Sequence, residues 1–183
     1  MTTDGEFVRK LKAGDPHAYE ALIARFEAPL YRYFLASHGD ARLATEQSAD
    51  CFGNLVESLP KMTGGSGQLR AFVFAVARNV LRRNWRSQKR AHAPLGVSDE
   101  PADDWPSPDA AAEQMEESRR VIEAIRSLDE PTRDVFLLRF VELMPLAEIA
   151  STVGEPIGTV KSRLSRGRER LAQILHTNSQ RHE

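Results

Sequence analysis

The chain has 183 residues, 41% of them hydrophobic, and a net charge of −1, which allows one or two small domains with apolar cores. Its single cysteine, Cys51, excludes an internal disulfide and a cysteine-based zinc site. No apolar run approaches the roughly 20 residues that a membrane span needs, and residues 1–15 lack the apolar core of a signal peptide, so we expect a cytoplasmic protein without membrane insertion.

The first sixty residues predict three helices, because apolar residues recur there at helical spacing. After a short first helix, Asp15 and Pro16 are typical of an N-cap and a first-turn proline. Pro29 is expected to break or kink the second helix. A third helix is expected from near Asp40 to Pro60.

A fourth helix is predicted from about Leu69 to Arg90, after a glycine-rich loop at 62–68. Seven cations and no anion lie between Arg70 and Arg90. One apolar stripe is expected to face a core, and a cationic, aromatic face is expected to point outward. Such a face suits contact with a nucleic-acid backbone and stacking on unpaired bases, or its apolar members pack beneath another helix. The outward face consists of Phe74, Arg78, Leu81, Arg82 and Trp85.

The segment from Ala91 to Ala112 contains four prolines and no periodicity, which predicts a flexible linker. Residues 91–118 hold eight acids and no Lys or Arg. Residues 1–90 hold 14 Lys or Arg against 9 acids, and residues 151–183 hold 6 against 3. Two cationic regions flanking an acidic one favour contact with nucleic acid at two places. The acidic linker either avoids DNA, occupies a cationic groove in its place, or is simply solvated.

Two helices and then a helix-turn-helix are predicted beyond Glu113. Residues 145–175 read as a short apolar helix, a turn at Gly154 that suits a helix C-cap, and a longer helix that is basic on one side. Cations at the borders of such a helix reach phosphates, and its outward positions face base edges. An ordinary amphipathic surface helix is the alternative. The buried stripe is expected to consist of Val160, Leu164, Gly167, Leu171 and Ile174, with Gly167 allowing close approach of a neighbouring helix.

Three runs carry a resemblance to a known family: ALIARFEAPLYRYF, LRAFVFAVARNVLRRNWR and EIASTVGEPIGTVKSRLSRGRERL. They resemble regions 2 and 4 of the extracytoplasmic-function (ECF) subfamily of bacterial RNA polymerase sigma factors. The resemblance covers nearly the whole chain and implies an all-α fold of two small helical domains. It implies a region 2 bundle at 1–90, a flexible acidic linker at 91–112 and a region 4 helix-turn-helix at 113–178.

The resemblance implies that the chain directs core polymerase to promoters and initiates transcription, with no catalytic residue, metal or cofactor. Region 4 would read the −35 element. Base edges would be contacted by Lys161, Ser162, Ser165 and Arg166, and phosphates mainly by Thr159, Arg163 and Arg168.

Region 2 would read and unpair the −10 element through the loop Met62–Gln68, which includes Gly64, Gly65 and Ser66, and through the helix after it. Asn79 would lie beside the captured base, an event akin to base flipping. Backbone phosphates would be held by Arg78, Arg82, Arg83 and Arg86.

The resemblance also implies contacts with the clamp helices of the largest polymerase subunit through Asp50, Phe52 and Leu55. The flap of the second-largest subunit is a further expected partner, and an anti-sigma factor is possible. The family usually has Gln before the acid at position 50, where this chain has Ala49.

Two other functions stay open from the sequence alone. One is a helix-turn-helix regulator that does not engage polymerase, although the first domain lacks an evident ligand or phosphoacceptor module. The other is a sigma-like decoy that binds polymerase or an inhibitor without starting transcription. An enzyme is disfavoured, because the five histidines lack ligand spacing and the GGSG run lacks the Lys of a phosphate-binding loop.

Overall fold

The computed structural model describes residues 4–62, 66–91 and 110–179, and every regular element among them is helical. The predicted all-α fold is therefore confirmed. The N-terminal unit comprises α1 (Asp4–Lys12), α2 (Pro16–His38), α3 (Ala41–Ser58) and α4 (Leu69–Ala91), with 3-10 turns at Leu59–Lys61 and Ser66–Gln68. The C-terminal unit comprises α5 (Ala110–Arg126), α6 (Glu130–Phe136), a π turn (Leu137–Val141), α7 (Leu146–Val153) and α8 (Ile157–Ser179).

The ends of α2 and α3 follow local signals in the sequence. The carboxylate of Asp15 accepts the N–H of His17, and that of Asp40 accepts the N–H of Leu43, both at 2.9 Å, so each aspartate acts as an N-cap. Helix α2 continues through Pro29, so of the two expected effects, a break or a kink, the break does not occur. Buried residues on both sides of Pro29, including Phe26 and Leu30, hold the two halves of α2 against the core.

Helix α4 is buried on two sides, which differs from the expected outward aromatic face. The inward stripe is as predicted, since Val73 and Val80 are buried. On the opposite side Phe74 and Leu81 are also fully buried, and α4 packs against α7 of the C-terminal unit. The expectation that this side faces solvent is wrong: the ring of Phe74 packs edge-to-face on Tyr33 of α2, with ring centres 5.5 Å apart, and α7 of the C-terminal unit packs against the same helix.

The predicted helix-turn-helix is formed by α7, the turn at Gly154 and α8. Gly154 adopts φ 72°, and its N–H donates to the carbonyl of Ala150 at 3.0 Å, which is the left-handed C-cap that glycine favours. The apolar stripe of α8 faces the core of the C-terminal unit as expected: Val160, Leu164, Gly167 and Leu171 are buried, and Ile174 is partly buried.

Gly167 is the point of closest approach between α8 and α6. A Cβ at this position would lie 2.3 Å from Cε2 of Phe136 and 2.8 Å from Cγ2 of Thr132. Both neighbours are buried, so neither side chain can move away cheaply.

The two units meet at the C-terminal end of α2. Arg126 of α5 donates from Nε to the carbonyl of Ala36 at 2.9 Å and from Nη2 to that of Leu35 at 3.1 Å. The same guanidinium lies against Gly39, where a Cβ would come within 2.6 Å of Nη1. A cation that binds the last carbonyls of a helix stabilises its negative end, so Arg126 both caps α2 and joins the units.

The Gly167→Ala variant should lower the free energy of unfolding by about 1–3 kcal/mol, because the added methyl overpacks the α6–α8 contact. Urea denaturation of the full chain measures this. Gly158→Ala in the same helix is the matched control, since a Cβ at that position meets nothing within 4 Å, and it should be neutral or stabilising by up to ~1 kcal/mol. Equal effects of the two variants would contradict this packing.

His38 should make the chain less stable in acid. Burial lowers its pKa from 6.5 to about 4, opposed by Gln47 and Asp40. The unfolded chain therefore binds this proton before the folded chain does. Stability is fully present above pH 6.5 and should fall by up to about 3 kcal/mol between pH 6.5 and 4.

Urea denaturation between pH 7.5 and 4.5 should show a shallower acid loss for His38→Gln than for the unsubstituted chain. His17→Gln serves as the control, because the side chain of His17 is 91% exposed. Parallel curves for all three proteins would contradict a role for His38.

Candidate nucleic-acid interface

The face of α8 opposite its buried stripe is exposed and mainly polar or cationic. Among the described residues, its hydroxyl and guanidinium groups form local contacts: Ser162 donates to the carbonyl of Thr159 at 2.9 Å, and Arg166 donates from Nε to the carbonyl of Ser162 at 3.4 Å. Exposed donors on a groove-sized helix can reach DNA without rearrangement of the core. The exposed predicted residues of this face are Lys161, Ser162, Ser165, Arg166 and Arg168.

Arg163 and Thr159 lie at the border of this face and are partly buried. Nη1 of Arg163 is 2.6 Å from Oε2 of Glu155 in the preceding turn. Beside them, a groove separates α8 from the α5–α6 connection. Its α8 side is formed by Arg163, Arg166, Gly167 and Arg170, and its other side by residues 127–129, Pro131 and Thr132.

The predicted −10 residues on α4 fall into two groups. Asn79 and Arg83 are exposed, whereas Arg78 is buried and Arg82 is partly exposed. Gly64 and Gly65 lie outside the described residues, as do the side chains of Ser66 and Arg86.

Arg78 and Arg82 bind carboxylates of the C-terminal unit. Nε of Arg78 is 2.7 Å from Oδ2 of Asp134, and its Nη1 donates to the carbonyl of Thr152 at 3.4 Å. Nε of Arg82 is 2.5 Å from Oε1 of Glu130. The side chains of Arg78 and Asp134 are 11% and 1% exposed, against 40% and 36% for Arg82 and Glu130.

Two more arginines of the N-terminal unit face acids of the C-terminal unit. Arg70 donates to the backbone carbonyl of Glu142, and its Nη1 is 3.8 Å from Oε2 of Glu148. Arg32 of α2 lies 3.8 Å from Oε2 of the same Glu142, whose side chain is 2% exposed. We call the set Glu130, Asp134, Glu142 and Glu148 the acidic face of the C-terminal unit.

The buried pair dominates this contact. Removing one partner of a buried ion pair costs about 3–5 kcal/mol, whereas a solvated pair contributes about 1 kcal/mol or less. Burial raises the pKa of Asp134, and the charge of Arg78 acts in the opposite direction. Burial likewise raises the pKa of Glu142, opposed by Arg32 and Arg70. In each case the neighbouring arginine favours the charged form of the carboxylate against the effect of burial.

Trp85 takes part in the same contact between the units. The guanidinium carbon of Arg133 lies 3.7 Å from the centre of a Trp85 ring, a cation–π arrangement. Burial lowers the pKa of Arg133, opposed first by Asp134. The alternative that the apolar residues of α4 pack beneath another element thus holds for Trp85 as well as for Phe74 and Leu81.

The acidic face was missed by sequence reasoning, although a signal was present. Residues 119–150 carry six acids, and these acids are the signal, because they offer carboxylate partners to the cations that the sequence predicts to bind a nucleic-acid backbone.

The three residues expected to bind polymerase differ in their accessibility. Asp50 of α3 is exposed, Phe52 is partly buried and Leu55 is fully buried. Leu55 belongs to the core of the N-terminal unit, and only Asp50 and Phe52 present side chains to a partner. Within the described ranges, no helix has the length and apolarity needed to cross a membrane, and no group of His, Cys, Asp or Glu is arranged to hold a metal ion.

Comparison with known proteins shows which family the chain resembles. The family model "Sigma-70, region 4" matches residues 118–171. The chain is 24% identical over 181 residues to the RNA polymerase sigma-H factor of Pseudomonas aeruginosa, covering 94% of this chain and 93% of that protein. It is 28% identical over 180 residues to the ECF RNA polymerase sigma factor SigM of Mycobacterium tuberculosis, and the match covers 94% of this chain and 85% of that protein.

A solved structure shares the fold. The sigma factor RpoE, crystallised with the anti-sigma factor NepR from Bartonella quintana, matches with a TM-score of 0.67 and 21% identity, covering 86% of this chain and 96% of that one. A helix-turn-helix matched by the region 4 model, together with similarity along nearly the whole length of several sigma factors, makes the chain similar to the extracytoplasmic-function subfamily of bacterial RNA polymerase sigma factors.

Proposed function

We propose that the chain is a sigma factor of the extracytoplasmic-function subfamily, and that it recognises promoters through two separate surfaces, α8 at the −35 element and α4 with its preceding loop at the −10 element. The observation that carries the proposal is the division of α8 into a buried apolar stripe and an exposed cationic face. We assign residues 1–90 to region 2, residues 91–112 to the linker and residues 113–178 to region 4.

At the −35 element, the exposed face of α8 enters the major groove. Lys161, Ser162, Ser165 and Arg166 contact base edges, in keeping with their exposure and their position in the first half of the helix. Thr159, Arg163 and Arg168 contact phosphates. The side chains of Arg163 and Glu155 are paired in the free chain, so Arg163 has to leave Glu155 before it can bind a phosphate.

At the −10 element, Asn79 lies beside an unpaired base and Arg83 binds the backbone, and both side chains are accessible in the free chain. Arg78 and Arg82 join them once they leave their carboxylate partners. The loop residues Gly64, Gly65 and Ser66, and Arg86 near the end of α4, complete this surface.

The proposed partners are core polymerase, promoter DNA and an anti-sigma factor. Asp50 and Phe52 of α3 contact the clamp helices of the largest subunit, and the C-terminal unit contacts the flap of the second-largest. Each DNA contact is weak alone, because it neutralises few phosphates, and polymerase makes them effective by holding both at fixed spacing. An anti-sigma partner is proposed because the structural neighbour RpoE was solved with one.

Transcription in vitro tests this function. The full chain, added to core polymerase and a pool of genomic fragments, should yield transcripts whose start sites share a −35 and a −10 sequence. Core polymerase alone is the control. Absence of transcripts above that background would contradict the proposal and favour a regulator or a decoy.

Arg166 and Arg168 form a matched pair for the −35 assignment, since both are exposed on α8. Arg166→Ala should cost roughly 1–3 kcal/mol of binding to the cognate −35 sequence and relax its specificity. Arg168→Ala should weaken binding to cognate and altered sequences by similar factors, as expected of a phosphate contact. Fluorescence anisotropy with a panel of −35 duplexes measures both. An equal loss for Arg166→Ala on every duplex would reassign Arg166 to the phosphates.

A further inference from the structure

We propose that α1 positions the loop 62–68: it holds the backbone on both sides of the loop and thereby sets how well the −10 surface discriminates between bases. Lys12, the last residue of α1, is the positioning residue at the first end. This inference rests on the proposed role of the loop at the −10 element. It gives a function to a helix that the proposed DNA contacts do not include.

Met62, the residue at which the loop begins, is held by its side chain, its N–H and its carbonyl. The side chain is buried, and the N–H donates to the carbonyl of Leu59 at 3.1 Å. The carbonyl accepts Nζ of Lys12 at 2.7 Å, a contact between residues 50 positions apart. A hydrogen bond from an ammonium group is stronger than one between neutral groups. The backbone therefore enters the loop from a fixed point.

The far end of the loop is held by the same helix. The 3-10 turn Ser66–Gln68 packs against α1, and so does the 3-10 turn Leu59–Lys61 that precedes the loop. Leu69, which begins α4 directly after the loop, is buried. Helix α1 is itself anchored in the core by Val8 and Leu11, which are both buried. Helix α1 thus bridges the two ends of the loop.

The composition of the loop makes these anchors important. Three of the residues 63–67 are glycines, and glycine permits more backbone conformations than any other residue. Discrimination between bases depends on binding groups of defined geometry, and a displacement of about 1 Å can remove much of their effect. Fixed ends reduce the number of conformations that the glycines allow. We therefore expect the anchors to govern discrimination between bases more than overall affinity for DNA.

A direct contact between Lys12 and a phosphate is the alternative, because Arg9, Lys10 and Lys12 make the last turn of α1 cationic. Loss of a phosphate contact weakens binding to all sequences by similar factors and lowers the salt dependence of binding. Loss of an anchor weakens binding to the cognate sequence most and leaves the salt dependence unchanged. Experiment can therefore separate the two roles.

Hydrogen exchange of the full chain, measured by mass spectrometry, tests the anchor without DNA. Lys12→Met removes the donor, so exchange in the peptide 59–69 should become about fivefold faster, as expected for one hydrogen bond. Lys10→Met is the matched control, since Lys10 lies in the same turn and pairs with Glu6 at 3.5 Å. Lys12→Arg supplies a donor again and should restore slow exchange. Thermal melting verifies that all variants are folded. Equal exchange in Lys12→Met and the unsubstituted chain would overturn the anchor.

Binding of the holoenzyme to fluorescent single-stranded −10 oligonucleotides tests the positioning role. One oligonucleotide carries the −10 sequence found by transcription in vitro, and the other differs from it by one base. Lys12→Met should weaken binding to the cognate oligonucleotide about fivefold and binding to the altered one much less. Lys10→Met should leave the ratio of the two affinities unchanged, and Lys12→Arg should restore this ratio. The salt dependence of binding should be the same for Lys12→Met and the unsubstituted chain.

Two results would contradict the positioning role. Equal weakening on both oligonucleotides with a lower salt dependence would make Lys12 a phosphate ligand. Faster exchange in the peptide 59–69 with unchanged discrimination would show that the anchor serves stability alone. Failure of the proposed function would appear differently, as an unsubstituted holoenzyme that does not discriminate between the oligonucleotides. That result would remove the −10 role of the loop and with it the positioning role of α1, whereas the anchor measured by exchange would stand.

Discussion

Between the two units, the guanidinium of Arg78 and the carboxylate of Asp134 face each other almost without access to water. Neither charge could stay buried alone, because an isolated ion inside a protein loses several kcal/mol of hydration. The pair joins residues 56 positions apart and links α4 to α6 across the contact between the units. The weaker pairs formed by Arg32, Arg70 and Arg82, and the stacking of Arg133 on Trp85, are arranged around it.

The two cationic surfaces differ in accessibility. The polar face of α8 is exposed, since the apolar stripe of this helix is buried within the C-terminal unit itself. On α4, Asn79 and Arg83 are exposed, whereas Arg78 and Arg82 are paired with carboxylates of the C-terminal unit. Under the proposed function, α8 can therefore contact DNA as it stands, and Arg78 and Arg82 first have to leave their carboxylate partners.

Features governed by local chemistry were predictable from the sequence. The cap at Asp15, the left-handed turn at Gly154 and the buried stripe of α8 each follow from a few neighbouring residues. Gly167 was expected to allow a close approach, and the structure identifies Phe136 as the side chain that approaches. That α2 continues through Pro29 could not be predicted from the neighbouring residues, because the helix is held by packing on both sides of the proline.

The burial of the second side of α4 could not be predicted either, for a related reason. Helical periodicity separates the faces of a helix but does not reveal whether a cationic face meets water, DNA or acids from a distant segment. Arg78 and Arg82 read as phosphate ligands, and their partners Asp134 and Glu130 lie beyond the linker. The structure shows the carboxylate partners of both arginines, and their role as phosphate ligands stays a proposal.

The central claim is that the buried pair of Arg78 and Asp134 holds α4 and α6 together. A double-mutant cycle tests it most directly: urea denaturation of the unsubstituted chain, Arg78→Met, Asp134→Leu and the double variant gives the coupling free energy of the two side chains. We predict that each single variant loses about 3–5 kcal/mol of stability and that the double variant loses less than the sum, with a coupling of about 1–3 kcal/mol. A coupling near zero would contradict the account.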